Sequence, residues 1–168
     1  MKNQKGFSLV EMLVSLIMAA ILILTVGVIS TIANSSFSRL NKEQQIYNDI
    51  SYGFKLLQYK VRASSSIAAG NRSAPWVSGQ HFLVDNGAFG LYQTSAATTD
   101  FVYDNGVQRE TIFSVPQPGT VTLSCPVPVA SQSVTVHLVG KKLVTVGSFG
   151  EMNYISFDMQ TTALRRNQ

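Results

Sequence analysis

The sequence is poor in cysteine, histidine and charged residues. It holds one cysteine, Cys125, so no disulfide can form within a single chain and the fold must be stabilised by packing. Charged residues make up 13% of the 168 positions, and the formal net charge is +4. Such a weak positive charge does not by itself predict nucleic-acid binding.

Residues that would form a catalytic or metal site are also missing. His81 and His137 lie on predicted strands and have no metal-ligand spacing with Cys125. Cys125 has no histidine beside it in a proline-rich segment, which favours a buried or incidental thiol over an intermolecular bridge. No glycine-rich phosphate loop or nucleophile elbow occurs. We therefore expect a protein that is not an enzyme and has no catalytic residue, metal or cofactor.

What the sequence does have is one long apolar run, from Phe7 to about Ile32. It can cross a bilayer as a helix, since a hydrocarbon core of roughly 30 Å takes about 20 apolar residues. Its one charge is Glu11, and a carboxylate at the membrane centre costs on the order of 2.5–3.5 kcal/mol on insertion scales. Lys2 and Lys5 precede the run, and no signal-peptidase site follows it. Hydropathy alone indicates an uncleaved signal anchor, which leaves Glu11 unexplained.

The start of the run carries a motif: Lys5-Gly6-Phe7-Ser8-Leu9-Val10-Glu11. This motif resembles the class III leader of type IV pilins and type II secretion pseudopilins. The resemblance implies that a prepilin peptidase cleaves after Gly6 and that the new first residue, Phe7, becomes N-methylated. It also implies that Glu11 acts in subunit assembly. Residues 1–6 would then be a leader peptide and residues 7–32 a transmembrane and assembly helix.

The same resemblance implies a location and a set of partners. The subunit would cross the cytoplasmic (inner) membrane once, with its C-terminal domain outside the cytoplasm, and would later enter a pilus or pseudopilus. Membrane lipid would surround the helix before assembly. Other pilins or pseudopilins, an inner-membrane assembly platform and, in diderms, an outer-membrane secretin would be the protein partners.

Two physical roles are open to Glu11. Cleavage would give Phe7 a free amino group, and the Glu11 carboxylate of another subunit would neutralise it in a low-dielectric filament core. If one of the two charges were lost, the other would remain buried without a counter-charge. Such a pair therefore specifies the register of neighbouring helices more than it stabilises the filament. The alternative is that Glu11, one turn into the helix, only extends toward the cytoplasmic headgroups. The adjacent Gly6-Phe7 pair favours the assembly role.

The helix is predicted to continue beyond the membrane, over residues 33–66, as an amphipathic segment. One helix from Phe7 to about Ala63 is expected, ended by the serines at positions 64–66. Gly53 costs this helix about 1 kcal/mol and could allow a strand to approach closely. The apolar stripe that should pack on the chain's own sheet consists of Ala33, Phe37, Leu40, Tyr47, Ile50, Phe54, Leu57 and Val61.

Residues 56–63 also faintly resemble the end of this helix in PilW-type and J-type minor pilins. A double leucine there leads into an arginine-containing turn, although Lys60 stands where those proteins usually have an acidic residue. This resemblance favours a minor subunit over a major one.

The remaining residues, 67–168, predict a β-rich globular domain. Eight short β-prone runs alternate with turn residues, at positions 81–84, 90–93, 101–103, 111–115, 120–123, 134–139, 143–146 and 154–159. Hairpin turns are expected at 85–87, 104–106 and 140–142. The fold class is therefore α+β, a long N-terminal helix packed on a C-terminal antiparallel β-sheet domain, as the pilin resemblance also implies.

Two further features of this domain bear on function. The one tryptophan, Trp76, is expected in the core rather than at an exposed contact. The basic pairs Lys141-Lys142 and Arg165-Arg166 could touch DNA, but solvated turn and tail charges are the favoured interpretation.

The sequence thus predicts a minor pilin or pseudopilin subunit that a prepilin peptidase processes and that assembles into a type IV pilus. The alternatives within this family are a type II secretion pseudopilin and a competence pilin for DNA uptake. From a different class, a single-pass membrane-anchored binding or adhesion protein would make Glu11 incidental.

Overall fold

The computed structural model describes residues 8–126, 132–147 and 150–166. Within these ranges the chain forms one helix, α1 (Leu9–Ala63), followed by eight strands. The strands are β1 (Ile67–Ala69), β2 (Trp76–Val84), β3 (Gly87–Ser95), β4 (Thr98–Asp104), β5 (Arg109–Pro116), β6 (Thr120–Ser124), β7 (Ser133–Val146) and β8 (Glu151–Leu164). The predicted α+β class is confirmed.

Helix α1 has 55 residues and a length of about 83 Å at 1.5 Å per residue. It is uninterrupted because the first proline of the chain is Pro75, well after the helix ends. The extended residue Ser64 ends it, and the Ser64 hydroxyl donates to the carbonyl of Val61 at 2.8 Å. The predicted end at Ala63 is therefore confirmed.

The strands form two antiparallel sheets rather than one. Strands β1 to β5 make a five-stranded sheet in chain order, and β6 to β8 make a three-stranded sheet, also in chain order. The two sheets are joined where the Gln80 side-chain oxygen accepts the Leu123 amide at 2.9 Å. Every predicted run lies in one of the strands β2 to β8, but the runs at 134–139 and 143–146 belong to a single strand, β7, and β1 was not predicted. The division into two sheets was not predicted either, because alternating patterns do not specify which strands pair.

Two of the three predicted hairpin turns are present. Asp85 and Asn86 connect β2 to β3, and Asp85 has a left-handed backbone (φ 52°) that aspartate tolerates better than most residues. Between β4 and β5, the carboxylate of Asp104 accepts a hydrogen bond from the Gly106 amide at 2.8 Å. The Asn105 side-chain oxygen accepts hydrogen bonds from the amides of Val107 and Gln108.

The third predicted turn, Gly140-Lys141-Lys142, is wrong. These residues lie in the middle of β7 and pair with β8 without interruption. Gly140 is needed there for space rather than for a turn, because a Cβ atom would lie 2.7 Å from the Phe157 ring and would also meet the Thr120 carbonyl. Gly140 is therefore explained by the close approach of neighbouring groups within the sheet, although in the sequence it resembles a turn glycine.

The core lies between the second half of α1 and both sheets. Phe54 meets Phe101 edge to face at 6.4 Å between ring centroids, and Phe113 meets Phe157 at 5.2 Å. Leu57 is fully buried, and burial of a leucine side chain stabilises the folded state by about 1.5–3 kcal/mol. The buried helix positions are Ile46, Ile50, Gly53, Phe54, Leu57 and Val61.

The predicted apolar stripe is therefore correct in its second half and wrong in its first. Tyr47 packs against the core, and the predicted positions after it are buried. Phe37 and Leu40 are 65% and 54% exposed, and Ala33 is only half-buried. Of the described strands, only one hairpin reaches this part of the helix, and it does so near its turn.

That hairpin is formed by β7 and β8, and β8 runs beside α1 in the same direction. Near the C-terminal end of the helix, the Gln58 amide donates to the Thr161 hydroxyl at 2.8 Å. Near the turn of the hairpin, a Cβ atom built on Gly147 would lie 3.2 Å from the Cβ of Ser35. The hairpin thus follows the helix beyond the hydrophobic core, toward the N-terminal end of α1.

Candidate assembly site at the helix start

The first half of α1 is covered by no other part of the chain that the structure describes. The large apolar side chains from Leu9 to Ile32 are all exposed, by between 49% and 80%. By length and composition, α1 is one helix that could cross a membrane, near the N-terminus. In water this surface would be unstable, so it must be covered by lipid or by other helices.

Three hydroxyl side chains in this segment are hydrogen-bonded within the helix. The hydroxyls of Ser15, Thr25 and Thr31 each donate to a carbonyl three or four residues earlier, at 2.7–2.8 Å. Hydroxyls bonded in this way do not expose unpaired polar groups to hydrocarbon. These three positions are therefore suited to an apolar environment, and Glu11 is the one charged residue of the segment.

Glu11 itself lies in the first turn of α1. Its carboxylate accepts a hydrogen bond from the backbone amide of Ser8, the residue that precedes the helix, at 3.0 Å. Helix N-termini leave amides unpaired and carry partial positive charge, so an acidic side chain at this position is favoured. Glu11 is thus held at the end of the helix, where the peptide bond proposed for cleavage lies close in sequence.

The hydrogen bond to Ser8 was not predicted, although the sequence contains its signal. Ser8 and Glu11 have the Ser-x-x-Glu spacing of a capping box, in which the glutamate accepts the amide of the capping residue. The leader motif occupies the same residues, so only an assembly role and an extension toward the headgroups were considered for its glutamate. The other two predicted site residues, Gly6 and Phe7, lie outside the described residues.

Away from the helix start, both histidines have structural partners. His81 is 3% exposed, with Nε2 accepting the Arg72 amide and Nδ1 paired with the Val77 carbonyl, each at 3.0 Å. His137 is on the outer face of β7 and contacts the Asp158 carboxylate at 2.6 Å. In the described parts of the chain, no group of three or more His, Cys, Asp or Glu residues could hold a metal ion.

Cys125 and Trp76 are packed residues. The Cys125 thiol is partly buried against the core, and burial raises its pKa to about 11, which keeps it protonated at neutral pH. Trp76 is 8% exposed, as predicted, and its ring meets the Tyr92 ring at 5.4 Å.

The two predicted basic pairs do not form a shared patch. Lys141 lies over the Tyr154 ring at 5.1 Å, whereas Lys142 points inward over Phe113 at 4.7 Å. Burial lowers the pKa of Lys142. The negative charges of Asp49 and Asp100 oppose this change, whereas the positive charge of Lys42 lowers the pKa further. The guanidinium of Arg165 donates to the Ser65 carbonyl at 2.6 Å. Lys141, Lys142 and Arg165 thus make contacts within the domain, whereas Arg166 is exposed.

Comparison with known proteins identifies the first part of the chain. A family model described as the prokaryotic N-terminal methylation motif matches residues 1–27. This match supports the resemblance of the N-terminus to type IV pilins and pseudopilins. No curated protein and no solved structure matches the chain. The pilin motif thus spans the leader and the exposed first half of α1, and the β-rich domain has no matched relative.

The motif and the fold agree. A pilin leader implies a long N-terminal helix on an antiparallel β domain, and this arrangement is present. The pilin motif also implies processing by a prepilin peptidase, assembly with other pilins and an anchor in the inner membrane.

Proposed function

We propose that this chain is a minor pilin that is cleaved between Gly6 and Phe7, N-methylated on Phe7 and assembled into a type IV pilus through α1. One observation carries the proposal: the methylation motif overlaps the first half of α1, whose apolar surface is covered by no described part of the chain. The proposed role is structural, and no chemistry of the chain's own is needed for it.

Before assembly, the uncovered half of α1 crosses the cytoplasmic membrane. Lys2 and Lys5 stay in the cytoplasm under the positive-inside rule, so the β-rich domain lies outside it. During assembly, the same apolar surface leaves lipid and packs against the helices of other subunits. Packing between helices rather than a hydrophobic gain drives this exchange, because lipid is as apolar as the helix surface.

Glu11 has a distinct role in each state. In the anchored subunit it accepts the Ser8 amide, which satisfies one amide at the helix start. In the filament it also faces the methylated amine of Phe7 on a neighbouring subunit. Two opposite charges that are both removed from water offset part of each other's desolvation cost, whereas an unmatched one destabilises the assembly. Glu11 thereby selects the axial register of neighbouring helices.

The test is mass spectrometry of the N-terminus after coexpression with a prepilin peptidase. We expect the membrane-extracted protein to begin with N-methylated Phe7. A Gly6→Leu variant serves as the matched control and should keep its first six residues, because the bulky side chain blocks the peptidase. An intact start in the unsubstituted protein would contradict the proposal and would favour the anchored adhesion protein.

A further inference from the structure

Heights along β8 can be compared with heights along α1, because the two elements run side by side in the same direction. The Gln58 amide donates to the Thr161 hydroxyl, and this contact sets a common level. Met152 precedes Thr161 by nine residues, a distance of about 30 Å at 3.3 Å per residue. The same distance along the helix is about 20 residues. Met152 is therefore level with about residue 38, next to Phe37.

A contact at the other end of the hairpin agrees with this level. Val146 of β7 pairs with Glu151 of β8, and the residue after Val146, Gly147, lies beside Ser35. Glu151 is thus near the level of Ser35, and Met152 is one residue farther along the strand. Both ends of β8 therefore give Met152 the same height.

Exposed apolar side chains occur at this level, mostly beyond the reach of lipid. Leu40 is 54% exposed and Met152 is 70% exposed. They lie about 12 and 9 Å beyond Ile32, where the apolar run ends, whereas headgroups extend only about 5–8 Å beyond the hydrocarbon core. Phe37 is 65% exposed at about 7.5 Å, and Tyr154 is 45% exposed farther out. Protein rather than lipid is therefore the cover that these side chains require.

The exposed residues of the helix and those of the strand face opposite sides of the molecule. Phe37 is about 160° around the helix from Leu57, which is fully buried in the core between α1 and the sheets. On β8, Met152 and Tyr154 alternate with the more buried residues of the inner face, so they point away from the core. Phe37 and Met152 thus present apolar surface in opposite directions at one height.

Each side also carries one charge above its apolar residues. Lys55 follows Phe37 by 18 residues, which is five helical turns, so both lie on one line along α1, about 27 Å apart. Asp158 is exposed on the outer face of β8, about 20 Å above Met152. Helical side chains point toward the N-terminus, so the long Lys55 side chain reaches down toward the level of Asp158. Among the described residues, Lys55 forms no ion pair and Asp158 pairs only with His137.

We define two surfaces from these residues: the helix stripe is Phe37, Leu40 and Lys55, and the strand stripe is Met152, Tyr154 and Asp158. We propose that the helix stripe of one anchored subunit docks on the strand stripe of a second copy of this chain. The proposal rests on the membrane anchor of the proposed function, because two copies anchored in one bilayer are held at the same height. Apolar side chains then meet apolar side chains, and Lys55 meets Asp158.

The contact is heterologous, since each copy uses a different surface. One helix stripe and one strand stripe stay free at the ends of such a pair, so the contact can repeat along a row of copies. Three side chains on each partner are far fewer than a stable interface needs, which buries about 1,200–2,000 Å² in total. Confinement in the membrane and packing of the exposed spans supply the remainder. The contact therefore aligns neighbouring subunits side by side before they leave the membrane.

The test is disulfide formation between copies of the full chain anchored in liposomes, in a Cys125→Ser background. A copy that carries Phe37→Cys is mixed with a copy that carries Met152→Cys, and copper phenanthroline is added as the oxidant. A disulfide requires two Cα atoms within about 7 Å, so its yield reports contact between the stripes. The matched control uses Gln160→Cys in place of Met152→Cys, because Gln160 is exposed on the same face of β8 and lies about 26 Å farther from the membrane.

We expect the mixed dimer of Phe37→Cys and Met152→Cys to form severalfold faster than the mixed dimer with Gln160→Cys, and severalfold faster than dimers of either variant alone. Equal rates for positions 152 and 160 would overturn the contact. Rapid dimerisation of Phe37→Cys alone would also overturn it, because the contact would then join two helix stripes.

A charge exchange tests the ion pair without changing the apolar residues. Lys55→Glu in the copy that carries Phe37→Cys should lower the rate of mixed-dimer formation severalfold. Adding Asp158→Lys to the copy that carries Met152→Cys should restore it. An unchanged rate with Lys55→Glu, or no recovery with Asp158→Lys, would overturn the pairing of the two stripes.

Washing the same liposomes with alkaline carbonate tests the anchor separately. Retention of the chain without the mixed dimer would overturn the contact and leave the anchor intact. Release of the chain would overturn both the anchor and the contact that rests on it.

Discussion

The carboxylate of Glu11 accepts a hydrogen bond from the backbone amide of Ser8 at 3.0 Å, within one subunit. The acidic residue in the proposed membrane span therefore has a partner before any filament forms. Because that partner is a neutral amide, the carboxylate keeps its charge available for an amine. Capping of the helix and pairing between subunits are thus two separable uses of one side chain.

Substitution of Glu11 should separate these two uses. Glu11→Gln keeps an acceptor for the Ser8 amide but removes the charge, and Glu11→Ala removes both. We expect both variants to be cleaved and methylated normally, because the peptidase recognises mainly Gly6 and its flanking residues. We expect incorporation into filaments, measured in sheared pilus fractions, to fall strongly for both, since neither can neutralise the amine. Normal incorporation of Glu11→Gln would show that the hydrogen bond, and not the charge, matters.

Gly53 and Gly27 form a matched pair within the same helix. A Cβ atom on Gly53 would lie 2.5 Å from the Ile112 side chain and 3.1 Å from the Phe101 ring, whereas a Cβ on Gly27 would meet nothing within 4 Å. Gly53→Ala should lower the free energy of unfolding by about 1–2 kcal/mol, because overpacking outweighs the gain in helix propensity. Gly27→Ala should cause no loss.

The measurement is urea unfolding of the detergent-solubilised chain, followed by the fluorescence of its one tryptophan, the buried Trp76. Equal stability of the two alanine variants would contradict the close approach of β5 to the helix.

Asp85 ties the end of the helix to the first hairpin. Its carboxylate accepts the Ser65 and Ser66 amides at 2.9 and 2.8 Å and the Ser65 hydroxyl at 2.8 Å. Slight burial raises the pKa of Asp85, but these hydrogen bonds outweigh it and hold the pKa below its ordinary value. The stabilisation is therefore present at neutral pH and is lost as the pH falls through the lowered pKa.

An Asp85→Asn variant tests this dependence, because asparagine also tolerates the left-handed backbone. We expect the substitution to lower the free energy of unfolding by about 0.5–1 kcal/mol at pH 7, after allowance for the solvent exposure of Asp85. The difference from the unsubstituted protein should shrink in acid, where Asp85 becomes protonated. A difference that does not change between pH 7 and pH 3 would show that the charge is not involved.

Cys125 should react slowly while the chain is folded. Burial raises the pKa of its thiol from 9.0 to about 11, so the reactive thiolate is about 100-fold scarcer at pH 8 than in the unfolded chain. The higher intrinsic nucleophilicity of a thiolate of raised pKa offsets part of this scarcity, so alkylation by iodoacetamide, followed by mass spectrometry, should be about tenfold slower in buffer than in urea. Equal rates in the two conditions would show that the thiol is not buried.

The fold could be predicted wherever the local pattern had one physical explanation. The apolar run, the absence of proline before Pro75 and the spacing of Ile50, Phe54, Leu57 and Val61 predicted the helix and its buried face. β-prone runs predicted strands β2 to β8, with β7 divided in two, but missed the short strand β1. Prediction failed at Gly140, because the crowding by Phe157 that requires a glycine there is invisible before the strands are paired.

The sequence by itself determined the leader motif, the exposed apolar span and the position of its single charge, since these depend on residues adjacent in the chain. Only the tertiary structure decided that the strands divide into two sheets, that Phe37 and Leu40 are more than half exposed and that Gly147 lies beside Ser35. Those features depend on contacts between residues that are not neighbours in the chain, and local periodicity carries no information about such contacts. The hydrogen bond between Ser8 and Glu11 is intermediate: its spacing is local, but the structure shows that it forms.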